Sequence, residues 1–257
     1  MGLLSLAAGT IPESQPLECV DVAAAAGFDR VGVRIEPPVR PDAPLVRELR
    51  SRLDASPCAL LDLEVVRLGV DETDEREYVD LAAALGAPYV LTISLDPDES
   101  ATTARIAALA TYGRAAGVRI IVEFMVFSAI PTLTSAMRIA ESADADVLVD
   151  VLHLARSGGT PADVAAVDPA RLPYLQVCDA PAAAPTTPTA CLHEALHGRL
   201  MPGAGALPVR EVVDAVAPDT VISVEIQSDD LFRLDPWARA ARIAASARNF
   251  LAEPACP

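Results

Sequence analysis

Four short apolar segments in the C-terminal half of the chain each end in a side chain whose oxygen can bind a hard divalent cation. Segments of leucine and β-branched residues without polar interruptions are typical of buried β-strands. A carboxylate at the end of such a strand costs free energy to desolvate unless something pairs with it. Four such side chains, each at the same end of a separate strand, therefore predict one shared site. The segments cover residues 119–123, 146–150, 172–176 and 221–225, and they end in Glu123, Asp150, Gln176 and Glu225.

The donor types of these four side chains indicate which ion they would bind. Three carboxylates and one amide oxygen make a shell of oxygen ligands, which suits Mg²⁺, Mn²⁺ or Co²⁺ better than copper or a thiolate-bound zinc. Gln176 would contribute its carbonyl oxygen and no charge. The alternative is that the acidic side chains form salt bridges across the mouth that the strand ends surround, instead of binding a metal ion.

The spacing of the apolar segments predicts the fold that positions this site. They recur mostly at intervals of roughly 30 residues, the length of one strand, one helix and two short loops. Segments with helical periodicity lie between them, and Gly27, Gly86 and Gly117 stand where helices end. Alternating strands and helices imply a parallel sheet, and eight such units favour an α/β fold of the (β/α)8 TIM barrel type, with residues 1–257 as a single domain. The alternative, a doubly wound sheet, needs a phosphate-binding glycine loop after the first strand, and residues 7–10 do not form one.

Composition indicates the cellular compartment and excludes some classes of binding partner. The chain is 52% hydrophobic and has a formal net charge of -16, which argues against nucleic acid or an anionic membrane as a partner. Its N-terminus has no basic region before the first apolar stretch, so we expect no secretion signal. Five cysteines, odd in number and without metal-binding pair spacing, predict a reduced, cytoplasmic setting. We expect a small-molecule partner, with a homodimer as an open alternative.

The absence of lysine excludes one class of barrel enzyme. All 20 basic residues other than histidine are arginine. Class I aldolases and other enzymes that form a Schiff base need a side-chain amine as nucleophile, and this chain has none. The P-loop lysine that binds nucleotide phosphates is missing for the same reason.

The ordered strand-end donors and two short motifs resemble the xylose isomerase-like TIM barrels, the superfamily of sugar isomerases, sugar epimerases and endonuclease-IV-like proteins. Residues 150–153 are similar to the family's D-x-x-H motif, and residues 176–179 with 198–205 are similar to its Q-x-x-D…R…PGxG segment. The resemblance implies that Glu123, Asp150, Gln176 and Glu225 bind one divalent ion. It also implies that His153 faces the substrate. At the strand-seven position this chain has glutamine in place of histidine. In this respect it resembles hydroxypyruvate isomerases and metal-dependent 3-dehydroshikimate dehydratases more than ketose 3-epimerases.

The resemblance also implies a reaction. A carbonyl polarised by a metal ion acidifies the neighbouring C–H bond, and Glu123 and Glu225 would remove and return the proton through an enediolate. We expect an isomerase or epimerase that acts on a small, sugar-like α-hydroxycarbonyl compound. A dehydratase of the 3-dehydroshikimate type is the alternative, with His153 as acid or base. A repair nuclease of the endonuclease IV type is disfavoured, because the chain has 3 histidines and an acidic balance.

Other side chains are candidates for contact with the substrate. Arg199 precedes a glycine-rich turn and could bind a carboxylate, a phosphate or vicinal hydroxyls, or could instead form a salt bridge with Asp179 or another acid at the mouth. Arg34 and Glu64 are expected at the ends of strands two and three, either lining the pocket or forming ion pairs within Arg34/Glu36 and Glu64/Arg67. Residues 193–197 match the His-Glu-x-x-His pattern of zinc proteases. No third ligand is evident for a protease, so a solvated helix or part of a lid over the substrate is favoured.

Overall fold

A computed structural model describes residues 2–70 and 74–253, and Cys256 lies outside the described residues. Eight parallel strands pair in sequence order and close into a barrel, as predicted, with β8 pairing with β1. The predicted (β/α)8 fold is confirmed. The strands are β1 (Leu4–Leu6), β2 (Arg30–Arg34), β3 (Ala59–Leu68), β4 (Tyr89–Ser94), β5 (Arg119–Glu123), β6 (Asp146–Asp150), β7 (Tyr174–Val177) and β8 (Val221–Val224).

Helices surround the barrel and connect successive strands. Gly27, Gly86 and Gly117 end three of them with φ of 79°, 75° and 76°, a left-handed conformation that glycine adopts without strain. Within the described part of the chain, no helix is both long and apolar enough to cross a membrane. The helices are α1 (Pro16–Ala26), α2 (Pro44–Ala55), α3 (Arg76–Leu85), α4 (Glu99–Ala116), α5 (Leu133–Ala143), α6 (Val151–Arg156), α7 (Pro161–Ala165), α8 (Pro188–His197), α9 (Val209–Asp214) and α10 (Pro236–Ala252).

The strands bury both faces, which explains their nearly continuous apolar sequences. On β5, Ile120 and Val122 belong to the large core between strands and helices, whereas Ile121 belongs to a separate cluster inside the barrel. Glu123 is therefore on the same face of β5 as Ile121 and points into the barrel interior. The inner cluster forms the floor beneath the strand ends and consists of Leu61, Val65, Leu91, Ile121, Leu148 and Tyr174.

Strand β3 departs from the expected length. Glu64 was expected to end it, but the strand continues to Leu68. Its pairing shifts register against β2 after Val31 and against β4 after Leu63. Such irregularities change the direction of neighbouring side chains, and here both Asp62 and Glu64 are about 1% exposed in the barrel interior.

Candidate metal and substrate site

The four predicted metal ligands lie on neighbouring strands at the same end of the barrel. Glu123 and Asp150 are the last residues of β5 and β6. Gln176 pairs with Asp150 across β6 and β7, and Glu225 directly follows β8. All four residues are at most 8% exposed. In a parallel barrel this end forms the mouth, where the loops that follow the strands meet.

Glu123, Asp150 and His153 form a group that can hold a metal ion. One ligand atom from each lies within 4.8 Å of the others, and the Nε2 atom of His153 is 3.9 Å from Oε1 of Glu123. His153 was expected in a loop, but it is in α6, whose N-cap is Asp150. A capping carboxylate and a residue three positions later share the first turn of a helix. The D-x-x-H spacing thus brings both side chains to the mouth.

Burial and like charges shift the proton affinities of these groups. Burial, with repulsion from Glu225 and Asp150, raises the pKa of Glu123 well above its usual value. Burial also raises the pKa of Glu225, although Arg199 opposes the shift. Burial lowers the pKa of His153 to about 4, so the imidazole is neutral near neutral pH. The mouth thus contains carboxyl groups that accept protons more readily than exposed ones.

Arg199 links two of the predicted ligands. Its Nη1 atom donates to Oδ2 of Asp150 at 2.5 Å, and its Nη2 atom lies 3.1 Å from Oε2 of Glu225. The Nε atom donates to the carbonyl oxygen of Ala195 at 2.8 Å. Burial raises the pKa of Asp150, but the charge of Arg199, together with His153 and the hydrogen bonds from Arg199 and the Leu152 N–H, lowers it overall. The alternative that Arg199 forms a salt bridge at the mouth is confirmed, with Asp150 and Glu225 as its partners rather than Asp179.

Gln176 supplies the test of whether this group fits a metal ion. Its side chain is buried, and neither Oε1 nor Nε2 has a hydrogen-bond partner. A buried amide without hydrogen-bond partners costs free energy unless a bound ligand interacts with its polar atoms. Gln176 pairs with Asp150 across the sheet, so its free amide oxygen can serve as one further ligand of an ion bound there. Carboxylates that bind metal ions are commonly held by further hydrogen bonds, which Arg199 provides for Asp150 and Glu225. The residues present therefore fit a divalent ion.

Arg34 and Glu64 form a second charged group at the mouth. The expected pairs along each strand are wrong, because the ion pairs form between strands: Arg34 with Glu64, and Arg67 with Glu36. The Nη2 atom of Arg34 is 3.5 Å from Oε2 of Glu64, whose Oε1 accepts from the backbone N–H of Ala8 at 3.1 Å. Burial, with repulsion from Asp62 and Glu225, raises the pKa of Glu64 to about 8.

Two glycines make room for these carboxylates. A Cβ atom on Gly9 would lie 2.2 Å from Oε1 of Glu225, and one on Gly32 would lie 2.7 Å from Oε1 of Glu64. Real Cβ atoms do not approach other atoms so closely, so only glycine fits either place without moving a carboxylate. Sequence reasoning did not identify this role, because the two contacts join residues far apart in the chain.

These groups open into a cavity of about 570 Å³, within the range of small-ligand pockets. Arg34, Glu64, Glu123, Arg199 and Glu225 line one part of it. Leucine side chains of α8 line another part, as expected if the segment contributes to a lid.

Two motifs of the sequence have structural partners. In residues 193–197, Glu194 binds Arg156 through both carboxylate oxygens at 2.7 Å, and Nδ1 of His197 is 2.9 Å from Oδ1 of Asp229. The glutamate is thus committed to an ion pair, which disfavours the protease alternative. The glycine-rich turn was expected to approach a ligand, but it does not line the cavity. Its Gly203 and Gly205 N–H groups donate to Oδ2 of Asp179.

Comparison with known proteins identifies the family. Residues 20–253 match the family model described as xylose isomerase-like TIM barrel. The chain belongs to this family. The predicted resemblance is therefore confirmed. No curated protein matches the chain in sequence.

Solved structures support the same fold. The IolI protein with a bound zinc atom has a TM-score of 0.81 and 17% identity, over 97% of this chain and 98% of that one. A xylose isomerase domain-containing protein from Salmonella typhimurium has a TM-score of 0.76 and 14% identity, over 96% and 97% of the two chains. D-psicose 3-epimerase from Clostridium cellulolyticum, solved with D-tagatose, has a TM-score of 0.69 and 14% identity, over 97% and 98%. At these identities the likeness concerns the fold.

Proposed function

We propose that the protein is a divalent-metal-dependent isomerase or epimerase that moves a proton on a small, sugar-like α-hydroxycarbonyl compound. The observation that carries the proposal is the convergence of Glu123, Asp150 and His153 at the mouth, beside the unpartnered amide of Gln176. Family membership and the epimerase among the similar structures support the same class of reaction. A carbohydrate-like small molecule is therefore the partner that we propose.

Glu123, Asp150, Gln176 and Glu225 would hold the ion, with His153 near enough to Glu123 to contribute. A bound divalent ion would supply a Lewis acid that polarises the substrate carbonyl. We favour Mn²⁺ or Mg²⁺, with Co²⁺ as a third candidate, because the four residues offer oxygen ligands. The zinc in the IolI structure makes zinc the comparison ion for any loading experiment.

The carboxylates of Glu123 and Glu225 would transfer the proton. One accepts it from the carbon beside the carbonyl, which leaves an enediolate. Return of the proton to the neighbouring carbon gives isomerisation, and return to the opposite face of the same carbon gives epimerisation. The raised pKa values of both groups support this role, because a carboxyl group with a raised pKa accepts a transferred proton more readily than an exposed one.

Arg199 and Arg34 are the residues that we propose for binding the substrate, together with His153. Arg199 already donates to Asp150 and Glu225, so its first effect is to hold those carboxylates in place. Arg34 is less committed, because its side chain is 36% exposed and its contact with Glu64 is 3.5 Å long. A carbonyl or hydroxyl oxygen of the substrate would accept from the exposed part of this guanidinium, which lines the cavity.

A dehydratase is the second candidate, and Gln176 favours it through its resemblance to the dehydratase pattern. Proton removal would then be followed by loss of a β-hydroxyl group, with His153 beside the leaving oxygen. The two reactions share their first step and differ in whether water is lost. The reduced, cytoplasmic setting stays a prediction, supported by the four described cysteines, which are all buried and unpaired.

Exchange of the substrate's C–H with deuterium from solvent tests the proposal. Protein loaded with Mg²⁺ would be incubated with dihydroxyacetone, hydroxypyruvate or dehydroshikimate in D₂O and followed by NMR. Glu225→Gln keeps an oxygen but cannot accept the proton, so exchange should nearly stop. His153→Ala should slow turnover about 10²- to 10⁴-fold.

The matched control is Glu194→Gln, which changes a mostly buried glutamate outside the proposed metal site. It should leave exchange intact. Undiminished exchange in Glu225→Gln would remove that residue as the base. Product formation without any exchange would favour a hydride shift, and appearance of a dehydrated, aromatic product from dehydroshikimate would select the dehydratase.

A further inference from the structure

We infer that the substrate carries an apolar body, such as a ring or an alkyl or aryl group, next to its α-hydroxycarbonyl head. This inference rests on the proposed function and narrows it: the sugar-like part of the substrate is the α-hydroxycarbonyl head, and the remainder is apolar. It comes from the walls of the 570 Å³ cavity, which are divided between charged groups and apolar side chains.

The charged groups come from the strand ends. Glu123, Glu225 and Arg199 lie there with His153, and all are nearly buried. Only a small head group can reach several of them together, because they converge within a few ångströms. Each offers a partner for an oxygen atom of the ligand. This part of the cavity suits the carbonyl and its neighbouring hydroxyl.

Another part of the wall is apolar and comes from three regions of the mouth. Ile93 and Leu95 come from β4 and its loop, Met125 and Phe127 follow β5, and Leu192 and Leu196 lie on α8. The ring of Phe127 contacts the ring of His153 edge to face, with centroids 5.6 Å apart. The apolar wall therefore begins directly beside the proposed reacting groups.

The exposure of these side chains indicates that they serve a ligand. Six large hydrophobic residues are exposed in the described part of the chain, and three of them line this cavity. Leu95, Leu192 and Leu196 are 43%, 40% and 39% exposed. Exposed apolar side chains that cluster around one pocket mark a ligand-binding surface, whereas scattered ones need no explanation. Burial of these three against an apolar ligand removes them from water.

A fully hydroxylated tail does not suit this wall. Each hydroxyl group that leaves water for an apolar surface without a partner costs free energy. Arg67 also lines the cavity, but its guanidinium is paired with Glu36. Against the apolar side chains of β4, β5 and α8, an open-chain polyol would lose hydration without gaining a partner. A ring or hydrocarbon body loses nothing and gains the contact.

Two probes with the same head group test the inference. Dihydroxyacetone and 2-hydroxyacetophenone share the hydroxymethyl ketone, and the second replaces a hydroxymethyl group with a phenyl ring. Binding to the Mg²⁺-loaded protein would be measured by calorimetry, with competition between the probes to establish one shared site. Burial of a phenyl ring predicts that 2-hydroxyacetophenone binds about 50-fold more tightly.

Variants of α8 make the test specific. In Leu192→Gln/Leu196→Gln, two partly exposed leucines become polar without opening the core, and the preference for the aryl probe should fall below about 10-fold. Trp237→Gln is the matched control, because Trp237 is 45% exposed and does not line the cavity. It should keep the full preference. Equal affinity for both probes, or an unchanged preference in the α8 variant, would overturn the inference.

The outcome is separable from that of the proposed function. Tight binding of the aryl probe without deuterium exchange on either compound supports the apolar body and contradicts the proton-transfer reaction. Exchange on dihydroxyacetone without any preference for the aryl probe supports the proton-transfer reaction and contradicts the apolar body.

Discussion

Replacement of Arg199 by methionine should destabilise the metal-free protein and make it more responsive to metal ions. The guanidinium group is 3% exposed and contacts Asp150 and Glu225, whose side chains are 0% and 10% exposed. Removal of one partner from a buried ion pair costs about 3–5 kcal/mol, because the remaining charge is buried without compensation. For a domain of this size such a loss lowers the melting temperature by about 10 °C.

The sign of the pH dependence follows from the same charges. Without Arg199, the pKa of Asp150 loses the main attraction that holds it below its usual value, and the pKa of Glu225 rises further above its own. The penalty is then largest at high pH, shrinks as Glu225 binds a proton, and is lost fully only below the unfolded pKa of Asp150. Melting temperatures of wild type and Arg199→Met should therefore differ more at pH 8 than at pH 5.

Metal ions distinguish the proposed site from a purely structural ion pair. Mn²⁺ should raise the melting temperature of Arg199→Met more than that of the wild type, because the ion replaces the missing positive charge. Arg156→Met is the control, since it removes the arginine of the mostly buried Glu194 pair, outside the proposed ligands. It should lose stability without extra gain from the ion. An equal metal response in all three proteins would refute the reasoning.

Two further predictions concern buried polar groups at the mouth. Gln176→Leu should leave metal-free stability unchanged or raised by about 1–2 kcal/mol, because it removes two unpartnered polar atoms. It should also lower the metal content after dialysis, measured by elemental analysis, whereas Gln176→His should retain the ion. A metal content in the leucine variant equal to that of the wild type would exclude Gln176 as a ligand. Glu64→Gln should stabilise the metal-free protein at pH 8 by up to about 4 kcal/mol and have little effect at pH 4.5. The reason is that the pKa of Glu64 is raised to about 8, so its stabilising protonated form is lost as pH rises. Thermal melts across this pH range check it, and parallel curves for both proteins would contradict it.

The sequence was sufficient to predict the barrel and the ends of its strands. Continuous apolar segments depend only on neighbouring residues, and a barrel repeats them eight times; the same holds for the three glycines that end α1, α3 and α4. The positions of Glu123 and Asp150 follow from the same pattern, because each ends its strand. In a parallel barrel every strand ends at the same side, so their proximity needed no knowledge of tertiary contacts.

The pairing of charged side chains could not be predicted in this way. Arg34 and Glu36 are neighbours in sequence, yet Arg34 pairs with Glu64 on the adjacent strand. The register shifts of β3 decide which side chains face each other, and no local pattern indicates where they occur. Arg199 likewise reaches Asp150 only because the chain after β7 returns to the mouth, which depends on the amides held by Asp179.

Helix α8 connects the two features on which function depends. Its Leu192 and Leu196 form part of the apolar wall, and the carbonyl oxygen of its Ala195 accepts from Nε of Arg199 at 2.8 Å. Arg199 in turn donates to Asp150 at 2.5 Å. A ligand that packs against α8 therefore acts on the helix that orients the only guanidinium bound to Asp150 and Glu225 among the described residues. Because few bonds separate the wall from the carboxylates, binding of the apolar body and positioning of the proton-transfer groups are coupled through this helix.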